Sequence, residues 1–228
     1  MIIWLNLNVA KLQKKSLADR QEIKRILRAT WGYDSFRALQ EEIILSVLSG
    51  KDTLALMPTG GGKSITFQIP ALAREGICLV VTPLIALMKD QVDALRARGI
   101  AGARLDSTLD RDELGNVFDA LETGRLDLLY VAPERLANEG FRRRLRGVPI
   151  ALAAVDEAHC ISEWGHDFRP EYRQLTEVRR RWPEAVCLAM TATATPRVRA
   201  DISSSLGFSS ANEFVASFNR ENLFIEVA

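Results

Sequence analysis

Two stretches hold residues whose types and spacing can do phosphate chemistry. MPTGGGKS, residues 57–64, meets the pattern G-x-x-x-x-G-K-[ST] at Gly62, Lys63 and Ser64, with Met57 where that pattern begins on glycine. A strand, three glycines and a helix beginning at the lysine aim backbone N–H groups and a helix N-terminus at phosphates. In that reading Thr59, Gly60, Gly61 and Gly62 form the cradle, Lys63 meets the β and γ phosphates, and Ser64 holds Mg²⁺. The plain alternative is a glycine-rich turn with a solvated lysine, but three glycines cost backbone entropy and need a reason.

The second stretch, VDEAHCISEWGHDFRPEY at residues 155–172, sets Asp156 and Glu157 at the end of the buried run IALAAV. It also holds both histidines of the chain, His159 and His166, and the aromatics Trp164, Phe168 and Tyr172. Successive strand residues face opposite ways, so the two acids can take different tasks. Beside a phosphate loop, Asp156 suits Mg²⁺, and Glu157 suits the base that orients or deprotonates an attacking water. Three readings compete for the whole stretch: a metal-ligand cluster, an amphipathic core helix, or an acid pair wired to a binding loop. His159, Cys160 and His166 match no common zinc frame. Gly165 and Pro170 interrupt the helix. The wired acid pair remains, with His159 expected to link its two sides through hydrogen bonds.

Both motifs need a scaffold that brings them to one edge. From Thr53 onward the short apolar runs TLALM, ICLVV, GARL, DLLYVA, IALAAV, VCLAM and EFVAS alternate with helical patterns. Mostly continuous apolar runs read as parallel strands covered on both faces. The expected fold is α/β, a mostly parallel central sheet with helices on both faces and ligands beyond the carboxyl ends of the strands. Upstream, FRALQEEIILSVLSG puts Phe36, Leu39, Ile43 and Val47 on one helical face. SLADRQEIKRILRATWG carries Ile23, Ile26 and Leu27 behind a capping box from Ser16 to Asp19.

The bulk numbers narrow the class. At 228 residues and 47% hydrophobic the chain fits one large domain, and a net charge of +1 moves any argument for a polyanion partner to local patches. The arginine runs at 142–146 and 179–181 read as solvated helix faces. Cys78, Cys160 and Cys187 form no C-x-x-C pair and suit a reduced compartment. The N-terminus has its basic residues after its apolar start, the wrong order for a signal peptide, and no run approaches the ~18 apolar residues of a membrane span. A soluble, cytoplasmic chain is expected, with residues 1–15 poorly ordered.

WGYDSFRALQEEI, MPTGGGKS, TPLIALMKDQV, YVAPERL, VDEAHCISEWGHDFRPEY and MTATATP, in this order, resemble the first motor domain of a RecQ-type superfamily 2 DNA helicase. The resemblance runs from about Trp31 to the end and is most specific in CISEWGHDFRPEY. It implies a RecA-like P-loop NTPase domain at 16–217 that uses ATP and Mg²⁺, with an adenine-recognition segment at 31–40. There Gln40 reads the adenine edge while Tyr33 and Arg37 sandwich the ring. Thr82 and Pro83 open a motif that touches the strand backbone. Trp164, Phe168 and Arg169 belong to a loop that senses single-stranded DNA, and Thr191 and Thr193 couple the nucleotide to a second motor domain. Plainer roles compete: Trp31 and Tyr33 as staples for the entering chain, Thr191 and Thr193 as caps for the helix near Pro196.

The implied partners are single-stranded DNA, duplex junctions and a second RecA-like domain, with no membrane. Residues 218–228 then begin a linker to that second domain, although FNRENL places Asn219 and Glu221 where the family has aspartate and proline. The family's arginine fingers lie in the second domain, so this chain is expected to bind ATP and unwind little alone. Two other classes compete: a non-hydrolysing nucleotide-binding adaptor, which has no need of Glu157, and an RNA helicase of the same superfamily, which lacks the aromatic extension.

Overall fold

The computed structural model describes residues 19–208 and 212–216. The segment 1–15, the Ser16 cap, the linker at 218–228 and the Arg181 side chain lie outside the described residues. The chain runs α1 (residues 19–31), α2 (Gln40–Leu48), β1 (Thr53–Leu56), α3 (Ile65–Ala73), β2 (Ile77–Val81) and α4 (Ile85–Arg96). It continues through β3 (Gly102–Leu105), α5 (Arg111–Glu122), β4 (Leu128–Val131), α6 (Pro133–Ala137), α7 (Glu139–Arg144) and β5 (Ile150–Val155). After β5 come 3₁₀ turns at Ala158–Ile161 and Pro170–Arg173, then α8 (Gln174–Arg181), β6 (Val186–Thr191), α9 (Pro196–Ser205) and β7 (Asn212–Val215).

The strands form one seven-stranded sheet in the order β3-β4-β2-β5-β6-β1-β7, and every pairing is parallel. β1, β2, β4 and β6 are buried along their whole length, as their unbroken apolar runs require. The pleat then divides the side chains into two layers. Leu54, Leu56, Leu79 and Val81 pack with Val117, Leu121, Leu175, Val198 and Ile202 of α5, α8 and α9. Ala55, Met57, Cys78 and Val80 pack with Ile43, Val47, Phe67, Met88 and Val92 of α2, α3 and α4. Ile23, Ile26 and Leu27 of α1 form a third cluster against Ile44 and Ile69. All three cysteines are free and buried, and no helix among the described residues is long and apolar enough to cross a membrane.

Two helix starts differ from the sequence expectation. α2 begins only at Gln40, because Leu39 adopts a left-handed conformation at φ 66°. Phe36 and Leu39 therefore pack from the loop, Phe36 against the α1 cluster and Leu39 against the α2–α4 layer. α3 begins at Ile65, two residues past the lysine, which leaves Lys63 and Ser64 in the turn that opens it. Arg179, read as solvated, is instead largely buried: it pairs with Asp52, whose other carboxylate oxygen accepts from Cys187 N at 2.9 Å.

Candidate functional site

β1, β2, β5 and β6 deliver the site from their carboxyl ends, as expected for a parallel α/β sheet. At the end of β1, Met57 N donates to Thr191 O at 3.0 Å and the Met57 side chain enters the apolar layer under α2 and α3. Met57 thus serves the core in place of the pattern's first glycine, while its carbonyl faces Lys63 Nζ at 3.4 Å. The glycines that follow have stated reasons. A Cβ on Gly61 would lie 2.9 Å from Pro58 O; Gly62 sits at φ +76°, where a Cβ would meet Gln40 Nε2 at 2.3 Å.

That contact joins the segment before α2 to the glycine loop. Gln40 is buried; its Oε1 accepts from Arg37 N at 2.9 Å, and its Nε2 donates to Gly61 O at 3.3 Å and Gly62 O at 3.1 Å. Arg37 turns its guanidinium onto Gly60 O at 2.9 Å. Tyr33 stays exposed on the rim of a cavity of about 630 Å³, which Phe36, Arg37, Gln40, Gly62 and Ile65 also line. The structure therefore brings Tyr33, Arg37 and Gln40 to one cavity beside the loop. Here Arg37 and Gln40 spend their polar groups on loop carbonyls. Trp31, partly buried between the α1 and α2 clusters, has the stapling role.

Asp156 and Glu157 follow β5 in a turn rather than on the pleat. Asp156 N donates to Val81 O at 2.8 Å, and Glu157 takes a left-handed conformation at φ 48°. The two acids do take separate partners, through that reversal instead of strand alternation. Asp156 Oδ2 accepts from Thr82 Oγ1 at 3.3 Å, while Glu157 Oε2 lies 3.3 Å from His159 Nδ1. Burial, then the neighbouring Glu157 charge, push the Asp156 carboxyl above its usual range, and the Lys63 ammonium and Thr82 hydroxyl oppose this. Thr82 and Pro83, expected at the strand backbone, are both buried, and the Thr82 hydroxyl serves Asp156.

His159 lies between the two halves. Thr191 Oγ1 donates to Thr193 O at 3.0 Å, so it accepts at 2.9 Å from His159 Nδ1, an arrangement that assigns the proton to Nδ1. Burial and the adjacent His166 hold the imidazole neutral, with its pKa lowered to about 4. Nε2 faces the Cys160 thiol at 3.7 Å, and burial pushes that thiol up to about 12. His166, offered by the sequence as a zinc ligand, instead stacks on His159 with ring centroids 4.1 Å apart. Thr193 lies 3.5 Å from His166 Nδ1, and the cap of α9 is Thr195, whose hydroxyl accepts from Val198 N. The capping alternative for Thr191 and Thr193 is thereby replaced by a contact with the DEAH segment.

The aromatics of this stretch separate by role. Trp164 is 58% exposed, with the Arg197 guanidinium 3.3 Å from its ring centroid. Phe168 lies under Arg173 at 5.2 Å, and Arg169 pairs with Asp167 at 2.9 Å. Tyr172 is wholly buried and its hydroxyl donates to Asp156 O at 2.9 Å. Sequence reasoning missed that strut, and also Ser162, whose hydroxyl donates to Asp201 Oδ2 at 2.7 Å and accepts from Trp164 N at 3.1 Å.

A glycine loop entering a helix after β1, an acid pair at the end of β5 with only β6 between them, and a parallel sheet between helical layers define a P-loop nucleotide-binding domain. A family model described as DEAD/DEAH box helicase matches residues 37–202, and the chain belongs to that family. It is 47% identical over 215 residues to ATP-dependent DNA helicase RecQ of Pasteurella multocida, covering 92% of this chain and 34% of that one. Against the Bacillus subtilis protein of the same name it is 47% identical over 204 residues, 89% of this chain and 34% of that one. The chain thus spans about a third of the length of these relatives. Among solved structures, the DUF1998 helicase MrfA bound to DNA superposes with TM-score 0.67 at 17% identity, over 85% of this chain and 29% of that one. The Pyrococcus furiosus Hef helicase domain gives 0.58 at 19%, over 78% and 38%. At these identities the likeness is one of fold.

Proposed function

We propose that this chain is the ATP-binding motor domain of a RecQ-type 3′ to 5′ DNA helicase, in which Mg·ATP hydrolysis is coupled to movement along single-stranded DNA. The observation that carries the reading is the contact chain Glu157–His159–Thr191, which ties the acid pair to the segment leading into α9 while His159 also stacks under the exposed loop. A solitary nucleotide switch has no use for such a link.

The residues present fit the nucleotide and its metal. The Asp156 carboxyl is largely buried with an acid neighbour, so its charge calls for a cation, and Gly60, at φ +79° with nothing within 4 Å of where a Cβ would stand, leaves open space at the loop backbone. Ser64 and Asp156 would hold Mg²⁺, which when bound neutralises phosphate charge and orients the terminal phosphoryl group. Lys63 binds the β and γ phosphates, Glu157 positions and deprotonates the attacking water, and His159 fixes the Glu157 carboxylate. Tyr33 and Arg37 sandwich the adenine ring, and Gln40 reads its edge.

Superfamily motors place this cleft between two RecA-like domains, and a finger arginine from the opposite wall is worth roughly 10³ to 10⁵ in rate. These 228 residues are therefore expected to bind Mg·ATP and single-stranded DNA and to turn ATP over slowly, with duplex junctions as partners of the two-domain motor. Lys63→Ala is the test: nucleotide affinity and hydrolysis should both collapse. Unaltered affinity and rate would remove the phosphate-loop assignment, and fast strand-stimulated turnover by this chain alone would remove the need for a second domain. Stimulation by RNA in place of DNA would move the substrate class.

A further inference from the structure

Arg197 occupies the second position of α9, just after the Thr195 cap and Pro196. A cation there opposes the helix dipole, which favours negative charge at the N-terminus. Among the described residues no carboxylate lies within ion-pair distance of it; its guanidinium lies over the Trp164 ring, 3.3 Å from the centroid. Trp164 remains 58% exposed, so the guanidinium covers one face and leaves the other to solvent. One helical turn further, Asp201 takes the Ser162 hydroxyl at 2.7 Å, and that hydroxyl in turn accepts from Trp164 N. Residues four apart share a helix face, so α9 grips the Trp164 turn at two points, ring and backbone.

We propose that Arg197 is a positioning residue for strand binding: it backs the Trp164 indole so that a nucleobase stacks on the open face. The inference rests on the strand-sensing reading above. A ring held from behind loses little rotamer freedom when a base arrives, and a cation against one face stiffens the platform without selecting a base. The same contact passes strand occupancy to α9, whose entering segment holds His159 through Thr191.

The test uses the 228-residue chain labelled with 5-fluorotryptophan, the Trp164 ¹⁹F signal being assigned with Trp164→Phe, and oligothymidylate as the probe. In Arg197→Ala the strand-free Trp164 signal should move, and oligothymidylate should bind about three- to tenfold more weakly at an unchanged thermal midpoint. Arg197→Lys should fall between, since an ammonium attracts the ring but does not stack flat. Wild-type affinity in Arg197→Ala overturns the proposal, and tighter binding would make Arg197 a competitor for the ring. A wild-type Trp164 signal that ignores the strand removes the strand-sensing reading itself, and this inference with it.

Discussion

Gln40→Glu changes one atom of the side chain and should separate the loop-holding role of this residue from its proposed reading of adenine. In the structure Nε2 donates to two carbonyls, Gly61 O at 3.3 Å and Gly62 O at 3.1 Å, while Oε1 accepts from Arg37 N. Glutamate keeps the acceptor and turns the donor into an oxygen facing two oxygens. The two lost bonds are worth about 0.5 to 1.5 kcal/mol each, and a carboxylate left with the Arg37 N–H alone, at a site only 2% exposed, adds a desolvation cost that protonation relieves. A total near 2 to 3 kcal/mol corresponds to a fall of about 4 to 12 °C in thermal midpoint for a chain of this size. The assay is nucleotide-free melting at pH 8 and pH 6, beside titration with ATP. The variant should melt lower at both, recover in part at pH 6 where the carboxyl can donate again, and bind ATP at least about tenfold more weakly at pH 8. A nucleotide-free midpoint equal to wild type at both pH values would refute the claim that Gln40 holds the phosphate loop.

Two further outcomes follow from the DEAH segment. His159 has its pKa lowered from 6.5 to about 4 by burial; between those values the unfolded chain binds more protons than the folded one. Stability is therefore expected to fall by up to about 3 kcal/mol as pH drops through that window, opposed near its acid end by the raised Asp156 carboxyl. Urea midpoints of wild type and His159→Gln across pH 4 to 7 check it: the variant should lose most of the slope. Gly165→Ala places a Cβ 2.3 Å from His159 O, a backbone atom that cannot turn aside. It is expected to cost about 1 to 3 kcal/mol and to slide His166 off His159, read as a changed imidazole signal in NMR; an undisturbed spectrum and midpoint would refute the close approach.

What the sequence made legible divides along physical lines. Strands buried on both faces announce themselves as unbroken apolar runs, and β1, β2, β4 and β6 fall on the runs TLALM, ICLVV, DLLYVA and VCLAM. The phosphate loop and the acid pair were legible because chemistry fixes their spacing. Pairings set by tertiary register were not. Nothing in the order of residues shows that Asp52 meets Arg179, that Thr82 points its hydroxyl at Asp156, or that Leu39 turns left-handed so that Gln40 reaches the glycines. The even spacing of Trp164, Phe168 and Tyr172 suggested one face, yet the 3₁₀ turn at Pro170–Arg173 sends Tyr172 inward and leaves Trp164 outside.

That inward turn bears on the chemistry of Glu157. A glutamate at φ 48° sits in a conformation that costs an L-residue about 1 to 2 kcal/mol, so the turn needs support from outside itself. Three hydrogen bonds supply it: Asp156 N to Val81 O, Cys160 N to Glu157 O, and Tyr172 Oη to Asp156 O. At about 0.5 to 1.5 kcal/mol each they offset the strain, and only the first comes from the sheet. The second lies in the turn that carries His159, and the third reaches back from the far end of the exposed loop. Movement of residues 162–172 therefore reaches the acid pair by two routes, through His159 to the Glu157 carboxylate and through Tyr172 to the backbone that aims it. A strained turn braced by the loop that bears Trp164 makes the position of the Glu157 carboxylate depend on the state of that loop.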